Sequence, residues 1–152
     1  MRVALAGPMA VGKSTVGRAL AERIGEEFVD LDAEIGDIPD LFAHVGEVGF
    51  RALERACLAR RVEGQGVMAL GGGTLQAEGN RTLLSGWRVV VLMASAATLR
   101  ARIGNGDARP LAQQMDALLV ERTPVWQTFA PWIHTDGRTV EAVVDELVLL
   151  CQ

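Results

Sequence analysis

The sequence predicts an α/β fold in which helices cover both faces of a mainly parallel sheet of five strands. Short apolar runs alternate with amphipathic stretches along the chain, which is the arrangement of repeated β-α-β units. The 152 residues are 49% hydrophobic and 22% charged, a size and balance typical of one globular domain with a sizeable core. No repeat, low-complexity tract or long linker divides the chain, so we expect a single domain over residues 1–152.

The predicted elements follow one another in the order that such a fold requires. The apolar runs that predict strands are "VALA", "EFVDLD", "GVMAL", "WRVVVLM" and "WIHT". The stretches that predict helices are 14–24, 47–62, 80–85, 95–103 and 113–129, with a last helix from about 139. Apolar residues recur on one face of that last helix, which should pack on the sheet: Val140, Val143, Val144, Leu147 and Val148. Trp87 and Trp126 are also expected to pack rather than to bind a ligand.

Charge and cysteine content narrow the possible partners. The formal net charge is only −4, so nothing attracts nucleic acid or an anionic membrane in general, and any anionic ligand needs a local group of basic residues. Cys57 and Cys151 are too few for a disulfide framework and match no zinc-ligand spacing. No charged leader with an apolar run and no membrane-length apolar stretch is visible. We therefore expect a cytoplasmic protein, a monomer, without nucleic-acid or membrane partners.

The stretch "GPMAVGKST" at 7–15 carries the strongest functional signal. Its residues Gly7, Gly12, Lys13 and Ser14 match G-x-x-x-x-G-K-[ST], placed after a predicted strand and before a predicted helix. In such a loop the backbone N–H groups and the helix N-terminus surround phosphate oxygens, the lysine reaches the β and γ phosphates, and the serine hydroxyl can ligate Mg²⁺. The alternative is an ordinary glycine turn, but the four positions match by chance only about once in a hundred such chains.

This loop therefore predicts nucleotide binding and, with the alternating elements, a three-layer sandwich of the P-loop NTPase type. The residues expected to bind the nucleotide phosphates are Gly7, Ala10, Val11, Gly12, Lys13, Ser14 and Thr15.

A pair of acids follows the second predicted strand. Asp30 and Asp32 in "FVDLD" are two residues apart and project from the same side if the chain is still extended there. One carboxylate can then face a metal ion and the other an acceptor hydroxyl. The alternative, two solvated acids at a strand end, is favoured only without the phosphate loop. No Asn-Lys-x-Asp stretch for reading guanine is present, so ATP with Mg²⁺ is the expected nucleotide.

The order of these and further motifs resembles the shikimate kinase family. The resemblance covers nearly the whole chain and rests on "GPMAVGKSTVGRALA", "FVDLD", "GEVGFRALE", "GGG" at 71–73, "RPL" at 109–111 and "ERTPVW" at 121–126. It implies transfer of the γ-phosphoryl group of ATP to the 3-hydroxyl of shikimate, directly and in line, in the pathway to chorismate and the aromatic amino acids. It also implies a short substrate-binding subdomain at about 33–62 and a lid at about 104–114.

The resemblance implies a role for each matching residue on the acceptor side. Asp32 contacts the acceptor hydroxyls and can accept a proton, while Asp30 holds Mg²⁺ together with Ser14. Arg51 and Arg122 grip the carboxylate of shikimate, because a planar guanidinium can bond both oxygens. Gly72 is a further substrate contact.

Glu54 lies three residues after Arg51 on the predicted helix at 47–62, where it is placed to orient that arginine. The alternative is that the two residues form an ordinary exposed ion pair. On the nucleotide side, the resemblance implies that Lys13 and Arg109 act on the transferring phosphate. Arg109 is carried by the lid, and its alternative is a solvated loop arginine. Arg102 and Arg138 are expected near the adenine.

The chain also departs from the family pattern. Ala10 and Val11 replace smaller residues, which adds side chains where the loop backbone approaches phosphate. The segment "AEIGDIPDLFAHVGE" is about five residues shorter than expected, roughly one helical turn. A gluconate-like sugar acid or a cyclitol therefore remains an alternative acceptor, and a non-catalytic nucleotide-binding regulatory module remains an alternative function.

Overall fold

The computed structural model describes residues 1–103 and 109–152, with the backbone alone for 109–113. Within these residues it contains one sheet of five parallel strands, as the sequence predicts, and the strand order is β2-β3-β1-β4-β5. The strands are β1 (Arg2–Ala6), β2 (Phe28–Asp30), β3 (Gly66–Ala69), β4 (Arg88–Met93) and β5 (Trp132–His134).

Seven α-helices connect and flank the strands in the described residues. They are α1 (Lys13–Ile24), α2 (Leu31–Ile35), α3 (Ile38–Arg61), α4 (Glu78–Leu83), α5 (Ala96–Ile103), α6 (Arg109–Trp126) and α7 (Val140–Cys151). Two short 3-10 turns lie at Thr74–Gln76 and Leu84–Gly86. None of the helices in this part of the chain has the length and apolar character needed to span a membrane.

Two helices extend at least four residues farther toward the N-terminus than the sequence predicts. Helix α3 begins at Ile38 rather than at 47, because the Asp37 carboxylate caps it by accepting from the Asp40 backbone N–H at 3.1 Å. The helix is interrupted at Gly46, whose φ of 70° and ψ of −179° are not helical, so the part after Gly46 corresponds to the predicted helix at 47–62. Helix α6 begins at Arg109 rather than near 113, so residues 109–114 of the expected lid belong to its first turns.

The core lies on both faces of the sheet. Alternate residues of β1 point to opposite faces, so Val3 and Leu5 pack with α1 and α7, while Ala4 and Ala6 pack on the other face. The predicted apolar face of α7 is confirmed, since Val143, Val144 and Leu147 are buried. The packing predicted for Trp87 and Trp126 is confirmed too, because both belong to the second cluster.

The strand order places the functional loops side by side. Strand β1 lies between β3 and β4, with Leu5 level with Ala69, and Asp30 of β2 is level with the same Ala69. The loops that follow β1, β2 and β3 therefore leave the sheet at one edge as neighbours. In open α/β sheets this carboxyl edge is where ligands bind.

Candidate active site

The phosphate loop joins β1 to α1 and requires glycine at its two ends. Gly7 has a φ of 134°, and a Cβ there would collide with the backbone carbonyl of Leu92 on β4. Gly12 has a φ of 102° and precedes α1 without a side-chain cap, so the first N–H groups of the helix are left for a ligand. The predicted strand, loop and helix are thus all present.

Lys13 folds back over this loop. Its Nζ donates hydrogen bonds to the carbonyl oxygens of Gly7 at 2.7 Å and Pro8 at 3.0 Å. Burial lowers the pKa of Lys13 to about 8, and the nearby Asp32 carboxylate only partly offsets that effect. The ammonium is therefore a desolvated cation inside a phosphate-binding loop, an arrangement that a bound anion would stabilise.

The two unusual residues of the loop behave differently. Val11 is only 2% exposed and belongs to the hydrophobic core, so the expectation that its side chain crowds the phosphate is wrong. Ala10 has a φ of 65°, the left-handed conformation that glycine adopts without cost. The departure from the family pattern therefore affects backbone strain at Ala10 rather than bulk at Val11.

The acids after β2 do not lie on an extended chain. Asp30 ends the strand and caps α2, accepting from the Ala33 N–H at 3.3 Å, so Asp32 lies in the first turn of a helix. The predicted strand geometry of this pair is thus wrong, because capping by Asp30 turns the backbone at Leu31.

Both carboxylates nevertheless face the phosphate loop. The Ser14 hydroxyl donates to Asp30 Oδ2, and the charges of Asp30 and Asp32 both act to raise the pKa of Lys13. Burial raises the pKa of Asp32 above its ordinary value, with Lys13 opposing that rise. The cleft here measures about 490 Å³, and its lining includes Lys13, Ser14, Asp30 and Asp32.

The three consecutive glycines after β3 are explained by what packs against them. A Cβ on Gly71 would lie 2.7 Å from Asp32 Oδ1, and one on Gly72 would lie 2.8 Å from Arg122 Nη1. A Cβ on Gly73 would lie 2.6 Å from Arg51 Nη2 and 3.0 Å from Arg122 Nη2. Only glycine lets these three charged groups approach the turn together.

Arg51 from α3 and Arg122 from α6 therefore converge on one point of the backbone. The pKa of Arg122 is lowered by burial first and then by the positive charge of Arg51. Arg51 Nη1 donates to Glu54 Oε1 at 3.0 Å, and Glu54 is 1% exposed, so this is not the exposed helical ion pair considered as the alternative. Two neighbouring guanidinium groups beside a glycine turn are well suited to bind a carboxylate.

A second cavity of about 230 Å³ lies on the other side of the phosphate loop, toward β4 and β5. Its lining includes Gly12, Thr15, Arg102, Thr135 and Arg138. Arg102 Nη1 donates to the carbonyl of Val11 at 3.2 Å and to Thr135 Oγ1 at 3.3 Å. Arg138 is held by Glu146 Oε2 at 2.7 Å and by the Ala142 carbonyl at 3.0 Å.

The structure thus brings the predicted residues together in two groups around the loop, with Asp30, Asp32, Arg51 and Arg122 on one side and the cavity of Arg102 and Arg138 on the other. The side chain of Arg109 and lid residues 104–108 lie outside the described part of the chain.

Sequence reasoning missed two threonines. Thr135 directly follows β5 at the functional edge of the sheet, and that position could have marked it. Thr74 follows the glycines and contacts Glu54, but nothing in its local pattern sets it apart.

Comparison with known proteins agrees with this geometry. The family model described as "Shikimate kinase" matches residues 9–152. The shikimate kinase of Thermobifida fusca is 41% identical over 159 aligned residues, covering 94% of this chain and 92% of that protein. That of Thermus thermophilus is 40% identical, covering 96% of this chain and 87% of that protein.

Solved structures give the same result for the fold. A shikimate kinase from Acinetobacter baumannii in complex with shikimate superposes with a TM-score of 0.89 at 34% identity, covering 98% of this chain and 91% of that one. A gluconokinase from Sinorhizobium meliloti, at 19% identity and a TM-score of 0.72 over 97% of this chain and 89% of that one, shares the fold alone. The chain therefore belongs to the shikimate kinase family.

Proposed function

We propose that this protein transfers the γ-phosphoryl group of ATP to the 3-hydroxyl of shikimate, and so forms shikimate 3-phosphate for chorismate and aromatic amino acid biosynthesis. The observation that carries the proposal is the convergence of Arg51 and Arg122 on Gly73, beside the Asp32 carboxylate. An acceptor that satisfies both features has a carboxylate at one end and a hydroxyl at the other. The Acinetobacter relative, whose structure holds shikimate, supports this choice of acceptor.

The phosphate loop positions the nucleotide. The backbone N–H groups at the start of α1 and the Lys13 ammonium bind the phosphates, and Lys13 neutralises charge that develops on the transferring group. Arg102 and Arg138 border the cavity assigned to adenine. Arg109 is assigned to the lid, where its guanidinium would act on the transferring phosphate when the lid closes.

Asp30 and Ser14 would supply the protein ligands of Mg²⁺, one carboxylate and one hydroxyl beside the phosphate loop. Bound there, Mg²⁺ would neutralise phosphate charge.

Asp32 acts on the acceptor. Its carboxylate accepts the proton of the 3-hydroxyl as that oxygen attacks the γ phosphorus, the bond from phosphorus to the β–γ bridging oxygen breaks, and ADP leaves. The raised pKa of Asp32 brings it closer to the working pH, which favours this role. Gly72 lies against the acceptor beside Arg122. The proposal takes the enzyme to act as a cytoplasmic monomer, with every group named here supplied by one chain.

A coupled ADP-release assay with ATP and Mg²⁺ tests this function across shikimate, quinate, gluconate and an uncharged cyclitol. We expect ADP release to depend on shikimate and to exceed that with the other three acceptors by at least tenfold. Single turnover with γ-labelled ATP should place the label on shikimate 3-phosphate and none on protein. Faster turnover of gluconate or the cyclitol, or ADP release that needs no acceptor, would overturn the proposal.

A further inference from the structure

A buried chain of polar side chains lies behind Arg51. Arg51 Nη1 donates to Glu54 Oε1 at 3.0 Å, and Thr74 Oγ1 donates to Glu54 Oε2 at 2.9 Å. Asn80 Nδ2 in turn donates to the Thr74 carbonyl at 2.9 Å. Glu54, Thr74 and Asn80 are 1%, 0% and 2% exposed, so water does not substitute for these contacts.

This chain joins three elements that are distant in sequence. Glu54 comes from α3, Thr74 begins the 3-10 turn after the three glycines, and Asn80 lies in α4. Asn80 fixes the backbone at Thr74, and Thr74 fixes one oxygen of Glu54. The other Glu54 oxygen is then placed to receive Arg51.

The Thr74 hydroxyl has a specific electrostatic task. A buried carboxylate is stable only when its oxygens accept hydrogen bonds, and among the described residues Arg51 and Thr74 are the donors of conventional length to Glu54. Without the hydroxyl, Oε2 would be left without a donor, which favours rotation of the carboxylate. That rotation weakens the contact that holds the Arg51 guanidinium.

We propose that Thr74 is a positioning residue whose hydroxyl holds the Glu54 carboxylate in its orientation, and that Glu54 in turn aims Arg51 at the carboxylate of the acceptor. This inference rests on the proposed function, because it takes that carboxylate as the partner of Arg51. It assigns Thr74 to acceptor binding and not to the nucleotide.

The test compares Thr74→Val, which keeps the side-chain volume but removes the hydroxyl, with Thr74→Ser, which keeps the hydroxyl. Thr82→Val is the matched control, since Thr82 is exposed on α4 and its hydroxyl donates to the Glu78 carbonyl of the same helix. We expect Thr74→Val to raise the KM for shikimate about tenfold, with kcat changed less than threefold and the KM for ATP unchanged. Thr74→Ser should stay within about threefold of wild type and Thr82→Val should match it.

A double-mutant cycle separates positioning from general loosening of the site. If Thr74 acts through Arg51, adding Thr74→Val to Arg51→Ala should raise the KM for shikimate no further. Additive effects, equal increases in both KM values, or a Thr74→Ser variant as impaired as Thr74→Val would overturn the inference.

Should Thr74→Val fail to fold, Thr74→Ala takes its place with the same expected outcomes. If wild type does not phosphorylate shikimate, the proposed function is wrong. If wild type phosphorylates shikimate and Thr74→Val leaves the KM for shikimate unchanged, only the inference on Thr74 is wrong.

Discussion

Lys13 is the one lysine among the 152 residues, and its environment is unfavourable to its charge. Burial lowers its pKa from 10.5 to about 8. A folded protein that keeps a desolvated cation gives up stability for function, because the same ammonium binds strongly once phosphate arrives. Because the chain has a single lysine, the pKa of this side chain can be measured directly.

We predict that lysine labelled with ¹³C at Cε gives one side-chain resonance, which titrates with a midpoint near 8. The pKa of Lys13 is lower in the folded protein, about 8, than in the unfolded chain, 10.5. The charged ammonium therefore destabilises the folded protein fully below pH 8, and this destabilisation disappears as the pH rises to 10.5. The free energy of unfolding of wild type should therefore rise relative to Lys13→Met across that window, by on the order of 3 kcal/mol. A midpoint near 10.5, or a stability difference independent of pH, would contradict this account.

At the scale of the structural element, the phosphate loop contains one residue that its conformation does not suit. Ala10 has a φ of 65°, and left-handed backbone costs a residue with a Cβ about 1 kcal/mol or more compared with glycine. Its neighbour Val11 buries its side chain in the core.

Ala10→Gly should raise the free energy of unfolding by up to about 1 kcal/mol, since relief of strain exceeds the added entropy of the unfolded chain. Ala56→Gly is the matched control, because Ala56 is exposed within α3 and glycine there should lower stability by about 1 kcal/mol. Urea denaturation measures both variants. Loss of stability in Ala10→Gly equal to that in Ala56→Gly would show that the loop carries no strain at this position.

The turn from β2 into α2 shows where sequence patterns stop being sufficient. In "FVDLD", apolar and polar residues alternate, which predicts a strand through Asp32. The Asp30 side chain instead accepts from the Ala33 N–H, and this capping bond ends the strand at Asp30 and begins a helix that the pattern does not predict. The alternating pattern predicts a strand and the capping residue predicts a helix for the same residues, and only the three-dimensional structure shows which of the two forms.

At the scale of the whole molecule, the five strands, the phosphate loop and the buried face of α7 follow from local patterns, and all are confirmed. Those patterns contain no information on contacts between distant segments. Thr74 approaches Glu54 because the turn after β3 packs beside α3, and Arg122 reaches Gly73 because α6 packs against the same turn. The resemblance to a family identified Arg51 and Arg122 but not the buried threonine behind Arg51.

The central claim is that Arg51 and Arg122 hold the carboxylate of the acceptor. The measurement that tests it most directly is kcat/KM of wild type and Arg51→Ala on shikimate and on the same ring with the carboxylate replaced by an alcohol. Arg60→Ala is the control, an exposed arginine on the same helix.

A charge-assisted hydrogen bond contributes roughly 1.5 to 3 kcal/mol, so Arg51→Ala should raise the KM for shikimate about ten- to a hundredfold. The effect on kcat should be smaller, because the carboxylate takes no part in the chemistry. We predict that wild type and Arg60→Ala strongly prefer shikimate over the alcohol and that Arg51→Ala loses most of this preference. Equal use of both acceptors by wild type, unchanged in Arg51→Ala, would contradict the claim.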